Sequence, residues 1–551
     1  MIRRDITKFN TDGKKERYAV QQVRSFINSN KALEGFILVL YGLRRTGKTT
    51  IMEQALSGIS TNKCAFYEVQ DMDSLADVQK IIIDAKENGI DIICLDELTK
   101  ANDFITNSSV LSDVFAKEGI RIIVTGTDSL CFQFASNDEL FDRTVRIQTT
   151  HIPFAEHSDV LDTIDIDDYI QFGGLMRKGE PEDRIIHDFD TACKYLDSAV
   201  SKNIARSLKK NPKDSYFERL SMEELQAIIE KMVEIYSGVF STKNMYEELK
   251  KVTLNSPIKF LTKLVGRDIT HRLIAESRNI AHDFVETINA DFRIKTPITA
   301  DMVKAFENYL IDLDVVSATS TIDFNYRDEF GWRSGKPQHE YHIIQPAIKF
   351  NHLQKGKEFF TDAPYYNELL PLEKQYLHRK LDEKIYGDML EQIVLYDMSK
   401  NLNKSVYDVL KPSFYVNGEK KAEFDMLIHD KKQGKYWGFE IKHTTNPCIE
   451  QEQHLQNENF FDILEQNYGD REHVAVLYRG NPFICRSGTK YLNVADFLRS
   501  VSQSRDIQLS FSELTKNLPI KEIPSAPAED SMEAEIKNQR EHLNQAKCFC
   551  R

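Results

Sequence analysis

The chain has 551 residues, of which 41% are hydrophobic and 28% charged, and its formal net charge is −13. That length exceeds what one hydrophobic core serves, so about three packed modules are expected. The charge excludes a protein coated in basic surface but leaves a local basic groove open. No apolar run approaches the ~20 residues that cross a bilayer, and the polar N-terminal stretch lacks the apolar middle of a secretory signal. A cytoplasmic chain with no membrane contact is therefore expected.

Eight scattered cysteines read as reduced thiols rather than a disulfide framework. Cys548 and Cys550 lack the second ligand pair that a metal site needs.

Residues 36–41 (FILVLY) form a short apolar run that ends in a glycine loop, the pattern of a buried parallel strand. Further strands are expected at 63–69, 91–96 and 120–126, with helices between them at SLADVQKIIIDAKENG and SSVLSDVFAKEG. The alternation predicts an α/β fold, a doubly wound parallel sheet covered on both faces. After about residue 176 the pattern turns to charged helices. In TADMVKAFENYLIDLDVV, Met302, Phe306, Leu310 and Leu313 recur at helical spacing behind a Thr299 cap. Two strands around a polar turn follow, and helices before a hairpin suggest a winged-helix module. A second α/β unit occupies about 386–500, and from about 519 a Pro, Ala and Glu-rich tail lacks packing periodicity.

The segment Gly42-Leu-Arg-Arg-Thr-Gly-Lys-Thr-Thr50 matches G-x-x-x-x-G-K-[ST] between a strand and a helix. Its glycines let backbone N–H groups curl around phosphate, and the helix N-terminus adds its positive end. Gly42, Arg45, Thr46, Gly47, Lys48, Thr49 and Thr50 are the expected nucleotide contacts. Lys48 would reach the terminal phosphates of ATP, and the Thr49 hydroxyl would bind Mg²⁺. The bland alternative is a glycine turn capping an ordinary helix. The run Ile92-Ile-Cys-Leu-Asp96-Glu97 argues against it, because a buried strand there delivers two acids to the sheet's carboxyl edge. Asp96 would hold Mg²⁺ through water, and Glu97 would polarise the attacking water. Thr125 ends the next apolar strand, as a sensor of the γ-phosphate or as an ordinary turn residue. Arg143 is a candidate charge for the transferring phosphoryl group, in cis or across a subunit interface; most arginines are merely surface residues.

A second constellation lies near the C-terminus. Strict alternation in Ala422–His429 would put Phe424, Met426 and Ile428 on one face, with Glu423 and Asp425 on the other. In the returning strand Glu440 and Lys442 point together, so Asp425, Glu440 and Lys442 converge on one hairpin face. This is the D…E-x-K pattern of restriction-type nucleases, two carboxylates for Mg²⁺ and a lysine for the attacking water. Any exposed hairpin face carrying two acids and a lysine would look the same. Gln453 and Gln456, in the following helix, are either nucleic-acid contacts or solvent-facing amides.

Taken in order, GLRRTGKTT, LDE, VTGTDSL, LFDRTVRI with IPFAEH, YIQFGGLM, GDMLEQIV, AEFDMLI and GFEIK resemble a family of prokaryotic AAA-type ATPases. In that family a P-loop domain is followed by a winged-helix module and a restriction-endonuclease-like PD-(D/E)XK domain. The resemblance runs from about residue 36 to 500. It implies a P-loop core at 36–175 behind an extension at 1–35, a helical connector at 176–215 and a winged-helix module at 216–350. A helical linker at 351–385, a nuclease-like domain at 386–500 and a partly disordered tail at 501–551 complete the plan. It also places Glu391 at the family's helical acidic position, completing a metal shell with Asp425 and Glu440. The implied activity is Mg²⁺-dependent ATP hydrolysis controlling a nucleic-acid-directed module, with DNA cleavage at the C-terminal site. The alternative is a nucleotide-gated switch or scaffold that engages a protein partner or further copies of itself, its nuclease-like fold inactive.

Overall fold

The computed structural model describes residues 1–9, 11, 13, 15–29, 34–101, 103–127, 132, 135, 140, 142–149, 151–163, 165–176, 185–205, 219–237, 293–327, 331–362, 366, 369–525, 532 and 535–539. The first sheet comprises β1 (Ile2–Arg4), β2 (Ile37–Gly42), β3 (Cys64–Glu68), β4 (Ile92–Asp96), β5 (Arg121–Gly126) and β6 (Thr144–Thr149), in the order β1-β3-β4-β5-β2-β6. Strands β2 to β6 run parallel, and β1 closes the edge antiparallel to β3. Alternate residues serve opposite faces. Leu38, Leu40, Phe66, Cys94 and Ile123 pack with the helices Ala19–Ile27 and Lys48–Leu56, whereas Ile37, Val39, Ala65, Ile93 and Val124 pack with the helix Leu75–Glu87. The sheet is thus covered on both faces, as its continuous apolar runs require. Ser74 and Asp77 form a capping box at the start of Leu75–Glu87. The expected helix at 108–119 forms with irregular winding, π-helical over Leu111–Phe115 and 3₁₀ over Ala116–Glu118, and is closed by Gly119 at φ 89°.

The N-terminal residues are integral to this domain rather than an appendage. β1 lies on β3, and Val20, Val23 and Phe26 are buried under the helix that follows the glycine loop.

The second sheet has eleven strands: β7 (Val316–Arg327), β8 (Gly331–Ser334), β9 (Gln338–Ile343), β10 (Tyr407–Val416), β11 (Glu419–Glu423), β12 (Met426–Asp430), β13 (Lys435–Ile441), β14 (Asp470–Tyr478), β15 (Phe483–Cys485), β16 (Lys490–Asn493) and β17 (Ile520–Lys521). The helix Ala300–Asp312 has its Thr299 cap on Met302 N–H at 3.3 Å, and Met302, Phe306, Leu310 and Leu313 are buried as their spacing predicts. β7 pairs antiparallel with β8 and β9, the expected hairpin. It also pairs in parallel with β10 from Leu410 to Val416, so the hairpin extends the C-terminal sheet rather than standing as a separate wing. The middle of the expected winged-helix module, 238–292, lies outside the described residues.

Strict alternation fails at Phe424. Phe424 packs with Leu427 and Tyr436 on one face of the second sheet, while Met426 and Ile428 pack with Trp437 and Phe439 on the other. The cause is Pro412. Phe424 N–H donates to the Pro412 carbonyl at 3.1 Å, but proline has no N–H to return. The register moves from Ser413↔Glu423 to Leu410↔Leu427, one extra residue on the bulged strand. This bulge aims Asp425 at the end of β13.

Three expected boundaries dissolve. The helix Pro371–Asn401 crosses residue 386, and the helices Val494–Ser504 and Ile507–Leu514 carry the core beyond 500, burying Val501, Ile507 and Phe511. The tail is held as far as Pro524: β17 pairs with β15, Ile484 N–H donates to the Pro519 carbonyl at 2.9 Å, and Ile449 N–H to that of Pro524 at 3.1 Å. Cys548 and Cys550 lie outside the described residues; Cys64, Cys94, Cys193, Cys448 and Cys485 are not in disulfides. Among the described residues no helix is long and apolar enough to cross a membrane.

The two sheets are joined through one core. Phe154, Ile166, Tyr169 and Ile170, on the helices Phe154–Leu161 and Ile166–Phe172, pack in the same cluster as Leu390, Val394, Phe439 and Phe497. Asp397, fully buried on Pro371–Asn401, caps the helix Phe154–Leu161 from outside. Its carboxylate accepts Phe154 N–H at 3.2 Å and Ala155 N–H at 3.4 Å. Burial pushes the Asp397 carboxyl up to about 7, against these two N–H bonds, which hold it down. Its folded value therefore lies above the unfolded one, and the folded chain binds more protons between the two. Asp397 should thus make stability fall as pH rises from about 4 to 7, by at most about 1.4 kcal/mol per pH unit. Denaturant melts at pH 5 and pH 8 should show wild type losing ground to Asp397→Asn on going alkaline; a pH-independent difference would contradict this.

Candidate nucleotide site

β2 lies between β5 and β6, and the chain leaving it crosses over to β3 on the far side of β4 and β5. The crevice at the carboxyl ends of β2 and β5 is therefore the switch point of the sheet, where an α/β fold binds its ligand. Gly42 ends β2 at φ 151°, and a Cβ there would collide with the Thr149 carbonyl. Gly47 precedes the helix Lys48–Leu56 at φ 85°, with the Arg17 guanidinium 2.5 Å from where a Cβ would stand. Both positions require glycine.

Around this loop the expected residues converge. The Lys48 ammonium is buried and donates to the carbonyls of Gly42 and Leu43, each at 2.8 Å. Burial lowers Lys48 to about 8, against the pull of Glu97 and Asp96. Thr49 Oγ1 lies 3.5 Å from Asp96 Oδ2, and the Thr125 hydroxyl donates to Asp96 Oδ1. Burial raises the Asp96 carboxyl, and the Thr125 bond opposes that rise. A threonine hydroxyl beside a carboxylate is the hard-oxygen donor set that suits Mg²⁺, so these residues fit the ion. Glu97 sits at φ 57°, and its Oε2 accepts from Thr127 N–H at 3.4 Å and Thr127 Oγ1 at 3.1 Å.

Thr46 Oγ1 is 2.8 Å from both the Leu43 carbonyl and Thr149 Oγ1, which braces the loop against β6. Thr50 lies in the first turn of Lys48–Leu56. Arg45, at φ 65°, places its guanidinium over the Tyr195 ring at 5.5 Å, so this side chain faces the helix Phe189–Leu196. Arg143 must be corrected as a cis phosphate contact. It immediately precedes β6, with Ile37↔Thr144 at the amino edge and Gly42↔Thr149 at the carboxyl edge. Six strand steps of ~3.3 Å put it about 20 Å from the loop, where its guanidinium pairs with Asp113.

Sequence reasoning missed Arg17, because a polar N-terminus reads as an extension. Arg17 is buried; it donates to the Thr46 carbonyl in the loop and, through Nε, to Glu156 Oε1 at 2.6 Å. Glu156 also accepts Tyr18 N–H at 2.8 Å, and it lies on the helix that Asp397 caps. The loop is thus tied through Arg17 to an element seated in the C-terminal core.

At the C-terminal constellation, the four expected residues do gather, with Lys411 as an unexpected fifth. Asp425 Oδ2 accepts from Ile441 N–H at 2.7 Å and from Lys442 Nζ at 3.1 Å, and the same ammonium pairs with Glu440. Glu391 pairs with Lys411. Burial pushes Glu391 up to about 7 and Glu440 well above the carboxylate range. Burial opposes the charge on Lys411 and Lys442, but Glu391 with Asp425, and Asp425 with Glu440, outweigh it and hold both lysines above their ordinary value. Glu440 Oε1 is buried with no hydrogen-bond partner among the described residues. Yet among the described residues no three His, Cys, Asp or Glu side chains are grouped to hold a metal ion. As placed, Glu391, Asp425 and Glu440 do not fit the expected metal shell, because the two lysines occupy the space between the carboxylates. The Gln453 side chain lies outside the described residues, and Gln456 donates to Glu452 at 3.1 Å.

The end of β13 is tied back to the first domain. His443 Nε2 lies 2.7 Å from Asp167 Oδ1, Arg479 pairs with Asp167 Oδ2 at 2.7 Å, and the Tyr386 ring stacks on His443 at 4.9 Å.

Residues 34–158 match the family model of an AAA domain. Among solved structures, C. elegans PCH-2 is 12% identical, with 41% of this chain and 70% of that chain covered, at a TM-score of 0.21. S. cerevisiae Hsp104, in its extended casein complex, is 12% identical over 58% of this chain and 54% of its own, at 0.22. A structure of katanin self-assembly is 14% identical over 54% and 98%, at 0.18. TM-scores this low do not establish a common overall fold. No curated protein matches the chain. The glycine loop and the Asp96 strand stand within the segment, residues 34–158, that is similar to AAA domains.

Proposed function

We propose that this protein is a nucleotide-gated switch: the first domain binds and hydrolyses Mg²⁺-ATP, and the nucleotide state is passed to the C-terminal domain. The observation that carries this reading is the Arg17 bridge. Arg17 holds the Thr46 carbonyl of the phosphate loop and, at its other side, Glu156 of the helix capped by Asp397. On Pro371–Asn401, Asp397 lies six residues from Glu391, about 9 Å along the helix. A shift of the loop on binding phosphate is thereby delivered to the helix that carries Glu391.

Within the first domain, Lys48 leaves its two carbonyl acceptors for the phosphates, and Thr49 with Asp96 would hold Mg²⁺, which would supply positive charge against the phosphates. Glu97 turns from Thr127 to orient the attacking water. Thr125 keeps Asp96 in place. Lys48→Ala should abolish nucleotide binding, while Glu97→Gln should keep binding within a few fold and lower turnover at least a hundredfold, measured by fluorescent-ATP titration and phosphate release. Affinity has a pH signature as well. Free Lys48 loses its proton through about 8, and phosphate favours the charged form. ATP affinity should thus be flat below pH 7.5 and fall above 8; constant affinity to pH 9.5 would exclude Lys48 as the phosphate ligand.

The switch itself is read by hydrogen exchange. ATP should change protection in 371–401 and 437–444 of wild type, and not of Lys48→Ala or Arg17→Ala; unchanged exchange there in wild type would leave an ATPase without the switch.

A second reading, Mg²⁺-dependent cleavage of DNA, draws on the gathering of Glu391, Asp425, Glu440 and Lys442 at one sheet edge. It requires Lys442 to leave both acids. If it holds, supercoiled plasmid with Mg²⁺ and ATP is nicked by wild type and not by Lys442→Ala; intact plasmid in both rejects it.

A further inference from the structure

A narrow cleft lies between β7, β9 and the helices Pro346–Asp362 and Pro371–Asn401. Its walls are largely apolar, among them Ile343, Ile344, Met389, Leu395 and Val409. Its polar end holds Lys349, which is 4% exposed. The Lys349 ammonium donates to Gln392 Oε1, and Gln392 Nε2 lies 3.0 Å from His342 Nδ1. Among the described residues Lys349 forms no ion pair.

Asp388 and Glu391, the carboxylates that act on Lys349, already have lysine partners, while Glu340 Oε2 stands 3.7 Å from His342 Nε2. Asp388 is paired with Lys384 at 2.8 Å and Glu391 with Lys411. His342 is neutral, because burial and the nearby lysines push it down to about 3. Tyr169 and Tyr396 also line the cleft. Lys349 is therefore a buried cation whose hydrogen-bond partner is a neutral amide, with donor capacity left over. Such a charge is costly to hold unless a counter-ion arrives. Burial lowers it only to about 8, so it remains protonated at neutral pH.

We infer that this cleft binds a small amphiphilic anion, its carboxylate or phosphate head on Lys349 and its apolar body along Ile343, Ile344 and Leu395. The ammonium supplies the head's hydrogen bonds, and the apolar walls exclude water from the rest. This site is separate from the phosphate loop and does not rest on the nucleotide reading, so its test omits nucleotide and Mg²⁺.

Full-length protein is melted at pH 7 in EDTA with hexanoate, hexyl phosphate or hexylammonium at millimolar concentration. At least one anion should raise the melting temperature by several degrees, the larger rise identifying the head, while hexylammonium should not. Lys349→Met should melt at or above wild type without ligand and bind the active anion at least tenfold more weakly. In wild type alone, affinity for that anion should drop as pH passes above 8. The inference is overturned if neither anion raises the melting temperature, if hexylammonium raises it equally, if Lys349→Met binds undiminished, or if affinity is constant to pH 9.5.

Discussion

The structure depends on one act of burial: the helix Phe154–Leu161, which closes the first domain, is seated in the core of the second. Phe154 packs in that core, and the helix's first N–H groups have no intrahelical acceptors. In a buried setting those donors need a partner, and Asp397 supplies both oxygens from the opposing helix. Neither domain can present its interface to water cheaply, because separation would expose apolar side chains and strip the Asp397 cap from the Phe154 and Ala155 N–H groups. The domains are thus one mechanical body across this contact, and the phosphate loop is joined to it through Arg17 and Glu156.

Much of this was legible in the sequence where burial acts on both faces of a strand. β2, β3, β4 and β5 fall within a residue of their apolar runs, since a parallel strand under two layers of helix has no polar face to blur its limits. The phosphate loop was legible because its glycines answer to backbone geometry at Gly42 and Gly47, which a side chain cannot imitate. Asp425, Glu440 and Lys442 were brought together by alternation along β13, which holds, and by alternation through Phe424, which does not. There the missing N–H of Pro412, on a different strand, sets the bulge that aims Asp425. A pattern within one strand carries no information about its neighbour's proline.

Other features were hidden because their partners are remote in sequence. Arg17 looks like one more cation in a polar leader until Thr46 and Glu156 are placed beside it. His443 and Arg479 converge on Asp167, from segments more than 270 residues away. Arg143 shows the converse error. Its spacing from the Asp96 strand looks suitable, but a residue before a parallel strand stands at the amino edge, and ligand chemistry belongs to the other edge.

The charge cluster beside β13 explains why the two proposed activities compete for the same residues. Three acids, Glu391, Asp425 and Glu440, face two lysines, Lys411 and Lys442, in a buried setting. One positive charge is lacking, and the unpartnered Glu440 Oε1 marks where the deficit falls. A proton can supply it, since burial has raised both Glu391 and Glu440, and the cluster is then a closed structural element. A divalent cation would oversupply it and must displace Lys442, which donates to two of the three acids. Lys442 is also the member of that ammonium-carboxylate group with the most solvent access, 32% against 11% and 1% for Asp425 and Glu440. Its departure therefore costs less than movement of either acid. Whatever moves the helix bearing Glu391 shifts this balance, because Glu391 holds Lys411, whose charge favours the ionised form of Asp425. The same helix bears Asp397, six residues from Glu391, so the cap on Phe154–Leu161 and the charge cluster sit on neighbouring turns of one element.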